Sequence, residues 1–295
     1  MMTLDGLRQR FVDDLRLDYP EEEARNFFYR CCESYADMSR IDVSLNRNDS
    51  LPKEQETRVL NALDRLKTHE PLQYILGETE FYGLPFKVNP AVLIPRPETE
   101  ELVEWIINDS RQVSIAVGSK LKILDIGTGS GCIAISLAKS LDAEVFAVDI
   151  SAEALQTARQ NAKLNEVEVT FIKGDALNPE DLFKNSDFAE FDIVVSNPPY
   201  VRELEKAEIQ PNVLDNEPHT ALFVPDEDAL KFYKSIAEFA TKALKKDGLL
   251  YYEINQYLGV ETVRLIAGLG FAEVELRKDI FGNDRMIKAV SRFEK

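Results

Sequence analysis

The first part of the chain, from Leu4 to about Glu70, carries apolar residues at three- and four-residue spacing. That spacing is the period of an amphipathic helix that packs one face against a core. The first such face comprises Leu4, Leu7, Phe11 and Leu15. Pro20 and Pro52 stand where two further helices would begin, since a missing N–H costs little at a helix start. The pattern predicts a small helical domain over residues 1–70.

Residues 74–89 contain two short β-prone runs separated by a glycine-containing turn, which is typical of a hairpin. We expect this hairpin to link two domains, over residues 71–92. A helix then begins near Pro97, a residue favoured in a first turn, and runs to about Gln112. The acids that complement its N-terminal dipole are Glu98, Glu100 and Glu101. Most of these acids therefore have a purely structural explanation.

From Lys120 onward, apolar β-prone runs alternate with amphipathic helices, which favours a parallel sheet covered by helices on both faces. The predicted strands are Leu121–Ile126, Glu144–Asp149, Val167–Ile172, Phe191–Ser196, Gly248–Ile254, Ala272–Leu276 and Arg285–Val290. The loop at Phe281–Asp284 is too short for a crossover helix, so the last strand should be antiparallel. The predicted fold class for residues 93–295 is α/β, a Rossmann-like doubly wound sheet with an antiparallel last strand. This architecture resembles that of the class I methyltransferases.

Composition narrows the possible partners. A chain of 295 residues is long enough for two domains, and its formal net charge of −17 repels phosphate backbones. Duplex nucleic acid is therefore a poor first guess as substrate. We find neither an apolar stretch of about 18 residues nor a basic region followed by an apolar run at the N-terminus. We expect a cytoplasmic protein with no membrane contact.

The cysteines and histidines give no sign of a metal or disulfide framework. Cys31 and Cys32 are adjacent, and Cys132 lies far away in a glycine-rich turn. The two histidines, His69 and His219, form no cluster with them at metal-ligand spacing. We therefore expect no bound metal.

The pattern of residues 122–132 predicts a buried strand, a glycine-rich turn and the start of a helix. Glycines allow a tight turn and a close approach of ligand to backbone, and ligands of open α/β sheets bind at the carboxyl ends of strands. The spacing Gly127, Gly129, Gly131 differs from the NAD fingerprint, in which a third glycine would replace Cys132. The loop therefore indicates a nucleotide-like cofactor other than NAD.

Three acids lie at the ends of three consecutive predicted strands. Asp125 would crowd a pyrophosphate but can pair with an ammonium group, Asp149 can accept ribose hydroxyls, and Asp175 can accept from an adenine amino group. Any one of them alone is more often a loop or cap residue, but three beside one glycine loop favour S-adenosylmethionine, which has an amino-acid moiety and no phosphate. The predicted cofactor-binding residues are Asp125, Gly127, Thr128, Gly129, Ser130, Gly131, Asp149, Ile150, Asp175, Ala176 and Asn197.

The tetrapeptide Asn197-Pro-Pro-Tyr200 follows the fourth strand of the sheet. It is either a stiff turn or a site for a planar amide or amino nitrogen. The Asn197 side-chain oxygen and the Pro198 carbonyl can each accept one N–H and so aim the lone pair at a methyl donor, while Tyr200 packs on the planar group. The predicted catalytic residues are Asn197, Pro198 and Tyr200, and the predicted substrate-binding residues are Asn197, Pro198, Pro199 and Tyr200. Val201–Glu217 is expected to be a loop.

Six segments together resemble the release-factor glutamine N5-methyltransferases, the HemK/PrmC family. They are Glu70–Tyr74, Gly77–Gly83, Leu93–Glu100 (Leu-Ile-Pro-Arg-Pro-Glu-Thr-Glu), Asp125–Gly131, Asn197–Tyr200 and Glu217–Leu222. The resemblance runs from about residue 70 to the end, and the helical N-terminus fits it in size. It implies that the substrate is the glutamine of a Gly-Gly-Gln loop in peptide chain release factors. It also implies that residues 197–200 clasp that glutamine.

One position departs from the family pattern, and three other readings stay open. Some members carry a bulky aromatic after the third acid, where Ala176 stands here, which leaves Ile150 or Leu177 to cover the adenine. An adenine-N6 methyltransferase of nucleic acid shares Asn-Pro-Pro-Tyr, but the chain has no basic segment interleaved with aromatics. A glutamine methyltransferase of a ribosomal protein and a non-catalytic cofactor-binding module are the other readings. We expect a monomer whose helical domain grips the substrate protein, rather than a packing appendage.

Overall fold

A computed structural model describes residues 1–111, 120–178 and 190–293. Its contacts divide the chain into two compact units. The first comprises residues 1–78 and 210–216, and the second comprises residues 79–209 and 217–295. Each unit has a hydrophobic core of its own.

The first unit begins with five helices, which confirms the helical pattern of the N-terminal region. They are α1 (Leu4–Leu15), α2 (Glu21–Ala36), α3 (Arg40–Leu45), α4 (Lys53–Leu66) and α5 (Leu72–Leu76). Pro20 and Pro52 cap α2 and α4, as predicted. The buried residues of α1 are the four on its predicted apolar face.

The hairpin consists of β1 (Glu78–Phe81) and β2 (Leu84–Lys87), joined by Tyr82 and Gly83 in left-handed conformations with φ of 51° and 71°. Two consecutive positive φ values are typical of a tight hairpin turn that follows the twist of its strands. The predicted β run at Tyr74–Leu76 is wrong, because these residues belong to α5, which Gly77 ends at φ 74°. An apolar run this short does not distinguish a helix from a strand.

The remaining strands include those of a seven-stranded sheet. They are β3 (Leu121–Ile126), β4 (Ala143–Asp149), β5 (Thr170–Lys173), β6 (Phe191–Ser196), β7 (Val201–Arg202), β8 (Phe223–Val224), β9 (Leu244–Glu253), β10 (Ala272–Lys278) and β11 (Asp284–Val290). The strand order in the large sheet is β10-β11-β9-β6-β3-β4-β5. The pairs among β5, β4, β3, β6 and β9 are parallel, whereas β11 is antiparallel to both neighbours. The predicted antiparallel last strand is confirmed.

Helices cover both faces of this sheet, as the doubly wound prediction requires. The helices after the hairpin are α6 (Pro97–Ser110), α7 (Cys132–Ser140), α8 (Ala152–Leu164), α9 (Pro211–Leu214, in the first unit), α10 (His219–Leu222), α11 (Lys231–Ala243) and α12 (Gly259–Gly268). Alternate residues of β3 point to opposite cores: Ile123 packs with α6 and α7, and Leu124 packs with α11 and α12. The predicted end of α6 at Gln112 lies outside the described residues.

Several strand boundaries differ from prediction, and β9 begins at Leu244 rather than Gly248. The third strand of the parallel sheet begins at Thr170 rather than Val167, because the N–H of Val167 bonds the Ala162 carbonyl at the end of α8. The predicted loop at 201–217 contains β7, a 3-10 helix at Glu203–Glu208 and α9.

Among the described residues, no helix is long and apolar enough to cross a membrane. Within the same residues, no three or more acids, histidines and cysteines are grouped so that they could bind a metal ion.

Candidate active site

The glycine loop joins β3 to α7 at the carboxyl edge of the parallel sheet. Gly127, Gly129 and Gly131 have φ values of 79°, 53° and 83°, a conformation that side chains with a Cβ rarely adopt. The N–H groups of Gly127 and Thr128 donate to the Val148 carbonyl of β4 at 2.8 and 2.9 Å. The loop is therefore held against the neighbouring strand by its own backbone.

Gly131 has a second role, in helix packing. A Cβ at this position would lie 2.9 Å from Ile135 Cδ1 and 3.2 Å from Ala158 Cβ. The glycine thus allows α7 to start close to α8. The third glycine of the loop therefore has a packing role, and its predicted contact with the cofactor stays a prediction.

Asp125, the penultimate residue of β3, is completely buried. Its Oδ2 accepts a 2.6 Å hydrogen bond from the Thr128 hydroxyl, while its buried Oδ1 has no hydrogen bond of ordinary geometry among the described residues, although the backbone N–H of Ala134 favours the ionised carboxyl. Burial raises the pKa of this carboxyl to about 7. A buried acceptor without a donor is costly, so this atom suits a cationic ligand group such as an ammonium.

Asp149 ends β4 and is half-buried. Its Oδ2 accepts from the Gly129 N–H at 2.8 Å, and its Oδ1 accepts from the Ser151 N–H at 2.9 Å. Burial raises the pKa of Asp149, against the effect of these backbone donors. Each oxygen keeps a second lone pair, so the carboxylate can brace the loop and still accept ligand hydroxyls.

Asp175 follows β5 and shapes the turn behind it. Its Oδ1 accepts from the Leu177 N–H at 2.8 Å and its Oδ2 accepts from the Asn178 amide at 3.0 Å. These bonds are the structural role that an isolated loop aspartate has most often. Its role towards an adenine amino group stays a prediction.

These elements surround a cleft of about 540 Å³ within the second unit. The predicted residues that line it are Gly127, Gly129, Asp149, Ile150, Asp175, Ala176, Asn197 and Pro199. The lining does not include Asp125, Thr128, Ser130, Gly131, Pro198 or Tyr200, so their contacts with cofactor or substrate stay predictions. Lining residues that were not predicted from the sequence include Pro90–Leu93, Thr220, Phe223, Lys231 and Phe232.

Phe232 lies beside the alanine that departs from the family pattern. The hydroxyl of Ser235 donates to the Ala176 carbonyl at 2.8 Å, which fixes α11 over the turn after β5. Phe232 is three residues before Ser235 and therefore on the same helix face. Both Phe232 and Ala176 line the cleft, so an aromatic ring is available there from another element.

The Asn197-Pro-Pro-Tyr200 turn directly follows β6. The Asn197 side-chain nitrogen donates to the Thr99 hydroxyl at 3.4 Å, and no described residue donates to its Oδ1. The Tyr200 hydroxyl donates to Glu253 Oε1 at 3.0 Å, and burial raises the pKa of Tyr200. Asn197 therefore keeps an acceptor free, as the predicted chemistry requires.

Residues of the segment Leu93–Glu100 form hydrogen bonds with two other parts of the second unit. Glu217, which is buried, accepts from the Ile94 N–H at 3.2 Å and from the Arg96 guanidinium. Glu100 accepts from the Tyr82 N–H of the hairpin turn at 2.9 Å. The segment thus joins the hairpin and the start of α10 to the edge of the cleft. The run itself was recognisable from the sequence, whereas its bonds to Glu217 and Tyr82 were not.

Comparisons with known proteins show which proteins this chain resembles. A family model described as "Methyltransferase domain" matches residues 118–268, and one described as "PrmC N-terminal domain" matches residues 7–77. A release factor glutamine methyltransferase of Flavobacterium psychrophilum is 54% identical, over 97% of this chain and 99% of its own length. One of Bacteroides thetaiotaomicron is 44% identical, over 92% and 94%. A solved structure of a Thermus thermophilus 16S rRNA N2 G1207 methyltransferase, in complex with AdoMet and guanosine, matches this chain with a TM-score of 0.52 at 18% identity. The match covers 73% of this chain and 50% of that chain, and it shows a similarity of fold alone.

Proposed function

The chain belongs to the release factor glutamine methyltransferases, and on that premise we propose that it methylates the side-chain amide nitrogen (N5) of the glutamine in a release factor's Gly-Gly-Gln loop. It is an S-adenosylmethionine-dependent methyltransferase with a class I fold. The observation that carries the substrate chemistry is the free Oδ1 of Asn197 at the wall of the cleft.

The residues around the cleft fit S-adenosylmethionine. The Oδ1 of Asp125, which has no hydrogen bond of ordinary geometry among the described residues, suits an ammonium group, and Asp149 has lone pairs left for ribose hydroxyls. Ile150, Ala176, Leu177 and Phe232 supply apolar walls for an adenine, with Asp175 beside them. When bound, S-adenosylmethionine supplies an electrophilic methyl group.

The turn at 197–200 orients the reacting nitrogen. An amide nitrogen is a weak nucleophile because its lone pair is delocalised into the carbonyl. Asn197 Oδ1 and the Pro198 carbonyl each accept one N–H, which directs the lone pair along one line. The prolines hold both acceptors in place beforehand, and orientation of this kind can lower a barrier by roughly 7–11 kcal/mol. Tyr200 packs beside the planar group, held by its bond to Glu253.

We further propose that the helical region, predicted over residues 1–70, recognises the release factor. All described residues that line the cleft belong to the second unit, so we assign cofactor binding to that unit. It has a core of its own and exposes Leu17, Ile41 and Leu45. The proposed active form is a monomer in the cytoplasm, where a release factor meets the ribosome. The adenine-N6 and ribosomal-protein alternatives have no comparable support.

The test is incubation of the protein with purified release factor and methyl-labelled S-adenosylmethionine, followed by mass mapping. We expect one added methyl group, on the glutamine of the Gly-Gly-Gln loop. A release factor with this glutamine replaced by glutamate is the matched control and should stay unlabelled. Label at another residue, or no label with a folded, cofactor-binding enzyme, would overturn the proposed substrate.

A further inference from the structure

Four side chains form a hydrogen-bond chain behind the Asn-Pro-Pro-Tyr turn. Glu253, at the end of β9, is 1% exposed, and Thr99, in the first turn of α6, is 2% exposed. The Thr99 hydroxyl lies 2.6 Å from Glu253 Oε2, and the Tyr200 hydroxyl lies 3.0 Å from Glu253 Oε1. The Asn197 side-chain nitrogen lies 3.4 Å from the Thr99 hydroxyl oxygen, which is the longest link.

The direction of these bonds follows from what each group can offer. An ionised carboxylate can only accept hydrogen bonds, so the Thr99 hydroxyl donates its single proton to the bond with Glu253. Its oxygen then has only lone pairs to present to Asn197. An amide beside an acceptor turns its NH₂ towards it, which leaves the amide oxygen on the opposite side. We propose that Thr99 and Glu253 are positioning residues that fix the side-chain amide of Asn197 with its oxygen towards the substrate nitrogen.

Three neighbours of Glu253 favour the ionised form of its carboxyl. Burial raises the pKa of Glu253 above its usual value and Glu98 adds to this rise, while the hydroxyl donors of Thr99 and Tyr200 and the nearby Arg285 offset part of it. Arg285 is itself held by Asp279 through a 3.0 Å bond. The same carboxylate also binds Tyr200 through its other oxygen, so one group fixes both ends of the tetrapeptide.

A flipped Asn197 amide would place an N–H donor against the substrate N–H. Two facing donors leave both groups without a partner in a closed site, which corresponds to a rate loss of about 10- to 100-fold. The loss should appear in kcat, because the orientation of the nitrogen matters most at the transition state. Cofactor affinity should not change, since neither Thr99 nor Glu253 lines the cleft.

A purely structural reading is that this contact only fastens α6 to the sheet. The chain provides a matched control for that reading. Tyr251, on the same strand as Glu253, donates to Asp109 of α6 at 2.7 Å. Tyr251→Phe therefore removes another bond between α6 and β9 without touching the chain of bonds to Asn197.

The experiment compares Thr99→Val, which keeps the shape but loses the hydroxyl, with Thr99→Ser, which keeps the hydroxyl, and with Tyr251→Phe. We expect kcat on release factor to fall about 10- to 100-fold for Thr99→Val, with the KM for release factor within about twofold of the parent. Thr99→Ser and Tyr251→Phe should stay within about threefold of the parental kcat. An equal loss in Thr99→Val and Tyr251→Phe, or parental kcat in Thr99→Val, would overturn the proposal.

The inference rests on the proposed function, so a second readout is independent of any methylation. In ¹⁵N-labelled protein, the Asn197 side-chain NH₂ signal is assigned by its loss in Asn197→Asp. We expect its protons to exchange with water at least about tenfold faster in Thr99→Val than in the parent or in Thr99→Ser. Equal exchange rates would overturn the positioning role. Failure of the parent to methylate release factor would instead overturn only the proposed substrate.

Discussion

The carboxylate of Asp149 accepts a hydrogen bond from the backbone N–H of Gly129 at 2.8 Å. This bond connects the end of β4 to the middle of the glycine loop after β3. The acid that sequence analysis assigned to ribose hydroxyls therefore also supports the loop itself. Loop shape and ligand affinity should respond together when Asp149 is changed.

Asp149→Ala should weaken binding of S-adenosylhomocysteine by about 1–3 kcal/mol, because ribose hydroxyls and the Gly129 N–H both lose an acceptor. Calorimetric titration measures this loss. Asp149→Asn, which keeps one acceptor oxygen, should bind with intermediate affinity. Unchanged affinity in Asp149→Ala would remove this residue from the site.

Asp125 should make cofactor binding depend on pH. Its pKa of about 7 lies above its ordinary value of 3.8, so the ligand-free folded protein retains a proton that the unfolded chain releases. Stability from this group is therefore lost as the pH rises from about 4 to about 7. A cationic ligand group favours the ionised form, so S-adenosylhomocysteine should bind about tenfold more weakly at about pH 6 than at about pH 8. Asp125→Asn should remove this difference, and a parental pH profile in that variant would contradict the assignment.

Phe232 should compensate for the small side chain of Ala176. Phe232→Ala should lower affinity for S-adenosylhomocysteine about tenfold, since an aromatic contact contributes about 0.5–1.5 kcal/mol beyond its buried area. Adding Ala176→Phe to that variant should restore much of the affinity. Phe281→Ala, at a side chain that is 68% exposed and outside the cleft lining, is the control and should bind as the parent does. Full affinity in Phe232→Ala would show that the ring does not cover the ligand.

Asn197→Ala should lose methyl transfer by about two orders of magnitude or more if ~3 kcal/mol of oriented stabilisation disappears. Single-turnover rates with both substrates saturating measure this effect without interference from binding. Asn197→Asp keeps an acceptor oxygen and should retain more activity than Asn197→Ala. Cofactor affinity should fall much less in both. A parental rate in Asn197→Ala would exclude the proposed role of the turn.

Much of the fold was predictable because strand and helix patterns are local. The boundary of β5 was not, because α8 ends without glycine. Glu166 takes the left-handed conformation at φ 55°, and the Val167 N–H donates to the Ala162 carbonyl at 3.1 Å. These two features form a helix-ending motif in which the left-handed residue is usually glycine. Val167 is thereby used in the cap rather than in the strand. The β-branched Val169 and Thr170 that follow it concealed this ending.

The candidate site was predictable where its residues follow one another in the chain. The glycine loop and the tetrapeptide at 197–200 carry their signals within a few residues. Thr99 and Glu253 are 154 residues apart, so no sequence window contains both. Phe232 lies on a helix whose apolar pattern is explained by core packing alone. Two signals were available in the sequence. The Leu93–Glu100 run indicated a segment with unknown partners, and Ala176 indicated that another residue must cover the adenine, but neither identified the residue concerned.

The helical unit includes residues 210–216, and within it the Asn216 side-chain amide donates to the His69 carbonyl at 3.1 Å. The chain therefore passes between the two units at residues 78–79, 209–210 and 216–217. Because part of the helical unit is encoded after the start of the second unit, recombination that replaces only the 5′ part of the gene cannot exchange the whole helical unit. A chimera between relatives would need the matching 210–216 segment as well, so the two parts of the coding sequence should evolve as one.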